Sequence, residues 1–161
     1  MILDKFNLDG KVAIVTGASR GLGQGMAVAL AEAGAEVIGV GTSIENASPP
    51  GVVPRNCDLS DRGQIAELLD GLSATRIEIL VNNAGIIRRA PAAEHSTEDW
   101  DAVMAVNLDA PFLLTRTLGA KMVERGHGRI INVASVLSFQ GGLNVPGYAA
   151  TKAAIANLTR A

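Results

Sequence analysis

Tyr148 and Lys152 stand four residues apart in Tyr148-Ala149-Ala150-Thr151-Lys152, a spacing that stacks a phenol and an ammonium on one helix face. A free tyrosine, with a reference pKa of about 10, is a poor proton donor and acceptor at neutral pH, and a nearby cation stabilises its phenolate. Moving a phenol by about three units takes roughly 4 kcal/mol of differential interaction. A partly desolvated ammonium can supply that much. The pair is therefore a candidate acid/base device, although the same spacing also occurs on ordinary amphipathic surfaces.

A second set of residues could hold an anion. Thr16-Gly17-Ala18-Ser19-Arg20-Gly21-Leu22-Gly23 follows an apolar run and opens a helical stretch. Glycines at 17, 21 and 23 permit a tight turn and close backbone approach, and a helix N-terminus offers unpaired N–H groups and the positive end of its dipole. The turn should seat a pyrophosphate. Its spacing is GxxxGxG rather than GxGxxG, so its position between strand and helix carries more weight than the triplet itself.

The elements that must position these groups alternate along the chain. Val12-Ala13-Ile14-Val15 reads as a strand, followed by a helix from about Leu22 to Ala33 that Gly34 ends, then a strand at Glu36 to Val40. Further strands are expected at Gly51 to Cys57, Ile77 to Val81 and Arg129 to Val133. Helices are expected at about Ser60 to Leu72, Thr97 to Arg125 and from Gly147 onward. Apolar strands separated by helices imply a parallel sheet covered on both faces, a doubly wound, Rossmann-like α/β fold. Gly41 to Pro50 leaves little room for a crossover helix, and Pro49-Pro50 resists one. That connection should be mostly loop, with the sheet thinly covered near its third strand.

Composition agrees with one packed domain. The chain has 161 residues, 48% apolar and 19% charged, with a formal net charge of -2, which argues against disorder, a nucleic-acid-binding face or a polybasic membrane segment. No apolar run approaches the length of a bilayer span. Met1-Ile2-Leu3-Asp4-Lys5 carries charge where a signal peptide has its apolar stretch, so a cytoplasmic location is expected. Cys57 is the only cysteine, which rules out an intrachain disulfide and a cysteine metal cluster. His95 and His127 are expected as solvated surface residues, and no metal site is expected.

Taken together, the three glycines, Asn82-Asn83-Ala84-Gly85, Asn107, Ser135 and the Tyr148/Lys152 pair resemble the short-chain dehydrogenase/reductase family. The match keeps its order from Lys11 to the end of the chain, with thirteen positions from Ser135 to Tyr148. The resemblance implies NAD(P)-dependent hydride transfer between a secondary alcohol and a ketone. In that scheme Tyr148 is the acid/base, Lys152 assists it and binds the nicotinamide ribose, Ser135 hydrogen-bonds the substrate oxygen, and Asn107 supports a proton relay. The cofactor would contact Gly17, Ser19, Arg20, Gly21, Leu22, Gly23, Thr42, Asp58, Leu59 and Asn83, besides Tyr148 and Lys152. Asp58, standing before Ser60, could equally belong to a helix-start cap. For Asn107 there is a further physical argument: Pro111, four residues on, has no N–H, so the Asn107 carbonyl loses its helical partner and could hold a water beside Lys152. A kinked helix with Asn107 capping the break is the alternative.

NADP(H) is expected over NAD(H), the alternative. Arg20 lies in the glycine turn and the second strand runs into Val40-Gly41-Thr42-Ser43 with no acidic residue to grip a ribose 2′-hydroxyl or repel a 2′-phosphate. For substrate, Asn83-Ala84-Gly85-Ile86-Ile87-Arg88-Arg89, Ser138-Phe139-Gln140-Gly141-Gly142 and Val145-Pro146-Gly147-Tyr148 resemble the branch of the family acting on ketodeoxygluconate-type sugar acids. Arg88 and Arg89 could clamp a carboxylate, and Gln140 could bind a hydroxyl, though a solvated loop explains the arginines as well.

Relatives in this family run to about 250 residues and continue past the Tyr148 helix into further strands and a substrate lid. Residues 1–161 are accordingly expected as one NAD(P)-binding Rossmann-like domain, C-terminally incomplete and lacking the usual later strands. A catalytically silent dinucleotide-binding remnant is the alternative function. The resemblance also implies a homodimer or homotetramer packing through the Thr97 to Arg125 and Tyr148 helices. Val103, Val106, Ala110, Leu113, Leu114, Leu118 and Met122 give more apolar positions than one sheet-facing stripe needs, as a fully buried helix also would.

Overall fold

The computed structural model describes residues 2–161. Met1, named above with the charged N-terminal stretch, lies outside the described residues. Five strands form one parallel sheet: β1 (Val12–Thr16), β2 (Glu36–Gly41), β3 (Val52–Asn56), β4 (Ile77–Asn82) and β5 (Arg129–Asn132). Their spatial order is β3-β2-β1-β4-β5, with Val12 opposite Glu36 on one side of β1 and Ile77 on the other. The chain reverses direction of growth between β1 and β4, which leaves a crevice beyond the strand C-termini, where open α/β sheets bind ligands.

Alternation along β1 builds two cores. Ile14 joins Val40, Leu80, Leu114 and Leu118 on one face, while Ala13 and Val15 join Ala27, Val37, Ile44 and Val81 on the other, as the period-two geometry of a strand requires. Helix α1 (Gly21–Glu32) covers the second face, and α2 (Arg62–Gly71) and α4 (Ala110–Glu124) belong to the first. Gly34 ends α1 at φ 100°, a backbone that favours glycine, with Ala35 N–H bonded back to the Leu30 carbonyl.

The β2–β3 connection contains only a 3₁₀ turn at Ile44–Asn46. Ile44, fully buried, fills the space that a crossover helix would cover. On the opposite face of this edge strand Val53 remains 48% exposed.

The single helix expected from 97 to 125 is interrupted. It comprises α3 (Thr97–Met104), a π-turn at Ala105–Asp109, and α4. Within the turn, Ala110 N–H reaches the Ala105 carbonyl, five residues back. Pro111, which can donate no hydrogen bond, follows immediately; the wide turn absorbs the mismatch without ending the helix. The long helix's apolar surplus also has an internal explanation: Val103, Ala110, Leu114, Leu118 and Met122 are buried within this chain, and Leu113 packs against the same core. They offer no face to a second copy. Trp100, Phe112 and Val123 are the large apolar residues this region exposes. The last helix is α5 (Pro146–Arg160).

Candidate active site

At the end of β1 the chain turns through Gly17, at φ 69°, into α1. Thr16 anchors that turn: its Oγ1 donates to the Val81 carbonyl at 3.3 Å and accepts from Asn83 and Ala84 N–H, both at 3.0 Å. Asn83 Nδ2 donates to the Thr16 carbonyl at 2.9 Å. One hydroxyl and one amide thus join the glycine turn to the segment after β4. Gly23 lies so close behind that an added Cβ would sit 2.1 Å from the Gly17 carbonyl oxygen and 2.5 Å from Asn83 Nδ2; a side chain there cannot fit. The first turn of α1 receives no side-chain cap from Arg20, so its N–H groups remain able to meet an anion.

In front of this turn opens a cavity of about 790 Å³. Gly17, Ser19, Arg20, Gly21, Leu22 and Gly23 line it, as do Thr42, Ser43, Asp58, Leu59 and Asn83, so every cofactor candidate from the glycine turn to Asn83 faces one space. Arg20 is exposed and carries no ion pair among the described residues. Asp58 is not the helix cap: its Oδ1 accepts from Ser60 N–H and Oγ, while Asp61 caps α2 by accepting from Gly63 and Gln64 N–H. Cys57 also lines the cavity, but burial first, and then the Asp58, Asp61 and Glu67 carboxylates, push its thiol up to about 11, which leaves it a thiol at neutral pH and a poor nucleophile.

The Tyr148/Lys152 cluster adjoins the cavity at Gly85. A Cβ added there would stand 3.4 Å from Asn107 Oδ1 and 3.8 Å from Lys152 Nζ. Lys152 is 5% exposed, its Nζ donating to the Val133 carbonyl at 2.6 Å and lying 5.7 Å from the Tyr148 ring centroid. Burial pushes its pKa below the ordinary lysine value, because removal from water disfavours the charged form. Tyr148 Oη has no hydrogen-bond partner among the described residues. Asn107 is 1% exposed and its side chain is fully committed, accepting from Ile86 N–H at 2.8 Å and donating to the Ile86 carbonyl at 2.9 Å and Thr151 Oγ1 at 3.3 Å. It caps no break in the helix. Its amide ties the π-turn to α5 and to the cavity wall.

Ser135 begins the short turn after β5. Its Oγ accepts from Leu137 N–H at 3.1 Å, and its own proton has no acceptor among the described residues. A hydroxyl so held is ready to donate to a substrate oxygen.

The two arginines part company. Arg88 lines the cavity with its Nε 3.1 Å from Asp99 Oδ1; Arg89 is exposed and outside the cavity lining. Gln140 is likewise exposed and outside it. His127 is exposed as expected, but His95 is not a solvated residue: both ring nitrogens are buried without partners among the described residues, the ring lying against Gly147 beside Trp100 and Val103. Thr16, Thr151 and Ser138 escaped the sequence reading. Each stands within or beside a recognised motif, but only its long-range partner reveals what it does.

A family model described as short chain dehydrogenase matches residues 11–161. The 2-dehydro-3-deoxy-D-gluconate 5-dehydrogenase of Pseudoalteromonas atlantica is 49% identical over 174 residues, an alignment covering 99% of this chain and 68% of that protein. The Escherichia coli enzyme of the same name is 44% identical, with 99% and 67% covered. A gluconate 5-dehydrogenase from Burkholderia cenocepacia, crystallised with NADP and tartrate, superposes with a TM-score of 0.90 at 38% identity, covering 99% of this chain and 67% of that one. The chain spans about two thirds of the length of these relatives.

Proposed function

The chain belongs to the short-chain dehydrogenase family, and from that premise we propose that it is the cofactor-binding and catalytic portion of an NADP-dependent dehydrogenase that interconverts a secondary alcohol and a ketone on a deoxy-keto sugar acid. The observation that carries this reading is one cluster: Asn107 and Lys152 stand beside Gly85 on the wall of a cavity headed by an uncapped glycine turn, Ser135 is linked to Lys152 through Ser138, and the Tyr148 ring lies 5.7 Å from the lysine ammonium. Nothing in that cluster favours the silent remnant.

Bound nicotinamide supplies the hydride acceptor or donor. Tyr148 as phenolate takes the substrate hydroxyl proton in the oxidative direction, and as phenol returns that proton to the substrate oxygen in reduction. Ser135 donates its free proton to the substrate oxygen. Lys152 stabilises the phenolate and would hold the ribose, and the Asn107 carbonyl, to which Pro111 can donate nothing, would hold a water of a relay from lysine to solvent.

For the cofactor, Arg20, Thr42 and Ser43 line one cavity, with no acidic residue from Val40 to Ser43, which suits a 2′-phosphate. NADP is named in the B. cenocepacia structure as well. Wild-type protein is expected to bind NADP(H) tighter than NAD(H), and Arg20→Ala to lose about tenfold of NADP(H) affinity with NAD(H) unchanged, the scale of one charge-assisted contact. Calorimetric titration of both cofactors decides it; preferential NAD(H) binding indifferent to Arg20 overturns the assignment.

For the substrate, the sugar-acid names of the relatives and the placement of Arg88 on the cavity wall support a carboxylate contact. Arg88→Ala in the active polypeptide carrying this chain is expected to raise KM for a deoxy-keto sugar acid about tenfold, and for its uncharged analogue much less. Equal effects on both put Arg88 outside recognition. Arg89 and Gln140 remain proposed outer contacts. The proposal extends to a cytoplasmic homodimer or homotetramer, the exposed Phe112 and Val123 of α4 being the apolar positions available to a second copy.

A further inference from the structure

Ser135 sits in a closed ring of hydrogen bonds, and both closing points lie on one residue. Upstream, the Val133 carbonyl accepts from Lys152 Nζ at 2.6 Å. Downstream, Ser138 Oγ donates to the Lys152 carbonyl at 2.7 Å. Ser138 Oγ also accepts from Ser135 N–H at 3.2 Å, and Ser138 N–H bonds back to the Ser135 carbonyl at 2.9 Å. The six residues from Val133 to Ser138, Ser135 among them, are thus held to α5 once through the lysine side chain and once through its backbone.

We propose that Ser138 is a positioning residue: its hydroxyl fixes the Ser135 loop against the helix that carries Tyr148 and Lys152, and so sets where the Ser135 proton meets the substrate oxygen. The inference rests on the catalytic reading above. The loop and the helix are separate elements joined by the 139–145 segment, in which Phe139 and Leu143 are exposed and unpacked, so chain connectivity alone does not fix their separation. Tyr148 and Lys152, by contrast, share one helix, and the Val133 carbonyl that holds the lysine is anchored to β4 by its own N–H donating to the Asn82 carbonyl at 2.9 Å, independently of Ser138. Ser138 therefore acts on the placement of Ser135 and leaves the phenol–ammonium pair alone. That division distinguishes positioning from a general loss of structure.

In the active polypeptide carrying this chain, Ser138→Ala is expected to lower kcat about tenfold, since displacements well under an ångström govern such transfers. The Kd for NADP(H) and the pH midpoint of kcat should stay in place, and Ser138→Thr, which keeps the hydroxyl, should restore the rate. The decisive comparison is the double variant: Ser135→Ala/Ser138→Ala should be no slower than Ser135→Ala alone, because Ser138 has nothing left to position. If the alanine variant does not fold, Ser138→Cys, of similar volume but a weak donor, carries the same test. Multiplicative losses in the double variant, or a wild-type kcat in Ser138→Ala beside a slow Ser135→Ala, overturn the inference alone. A wild-type kcat in Ser135→Ala overturns the catalytic reading and this inference with it.

Discussion

Tyr148→Phe lowers kcat by at least about a hundredfold, the lower end of what a positioned acid or base contributes, while the affinity for NADP(H) stays within about twofold of wild type. The substitution removes one oxygen and keeps the ring, whose centroid stays 5.7 Å from Lys152 Nζ. Because Tyr148 Oη bonds nothing among the described residues, its loss strands no buried partner, and the usual penalty for an orphaned donor or acceptor does not arise. Thermal stability should therefore be unchanged, which confines the effect to the proton. The measurement is nicotinamide absorbance in the active polypeptide carrying this chain, with cofactor binding followed separately by calorimetry. Turnover at the wild-type rate would assign the proton transfer to another group.

Lys152→Met costs more, because the same ammonium serves two tasks in the proposed mechanism. Methionine keeps the apolar stem within its buried surroundings and deletes the charge. Both kcat and NADP(H) affinity should fall, kcat by about a hundredfold or more and affinity by about tenfold, on the scale of charge-assisted contacts. Stability follows a different course. Burial holds the Lys152 pKa below its ordinary value, so the unfolded chain binds this proton more readily than the folded one. The buried charge therefore disfavours the fold at neutral pH, and that cost is relieved as pH rises from the depressed value towards the ordinary lysine value. Removing the ammonium lifts this cost but leaves the Val133 carbonyl without its donor, and the two partly offset. A melting midpoint within about 5 °C of wild type is expected. Loss of activity with cofactor affinity unchanged would show that the lysine serves the phenol only.

The glycine turn and the Tyr148/Lys152 pair were legible because their signals are local. A glycine needed for φ 69° at residue 17, or two side chains brought together by helical periodicity, requires no knowledge of the rest of the chain. The five strands were legible for a related reason: apolar runs buried on both faces of a parallel sheet leave a pattern that polar loops interrupt. The loop-like β2–β3 crossover could be anticipated from Pro49-Pro50, but not that Ile44 would fill the space of the missing helix.

Other features depended on residues far apart in sequence. Asn107 was recognisable by its family position and by Pro111, yet the commitment of its amide to Ile86 and Thr151 follows from a π-turn that rotates it inward. His95 reads as a polar residue among polar neighbours, and only the packing of α3 against the start of α5 buries its ring. The paired arginines look equivalent along the chain, whereas the ion pair to Asp99, at 3.1 Å, and the lining of one cavity single out Arg88. Sequence by itself determined which groups could carry a proton or seat a phosphate, since those properties belong to side-chain chemistry and local backbone freedom. Tertiary structure alone decided which groups face one another, because burial, hydrogen-bond direction and the 2.6 and 2.7 Å contacts that close the ring around Ser135 join residues that neither periodicity nor spacing brings together.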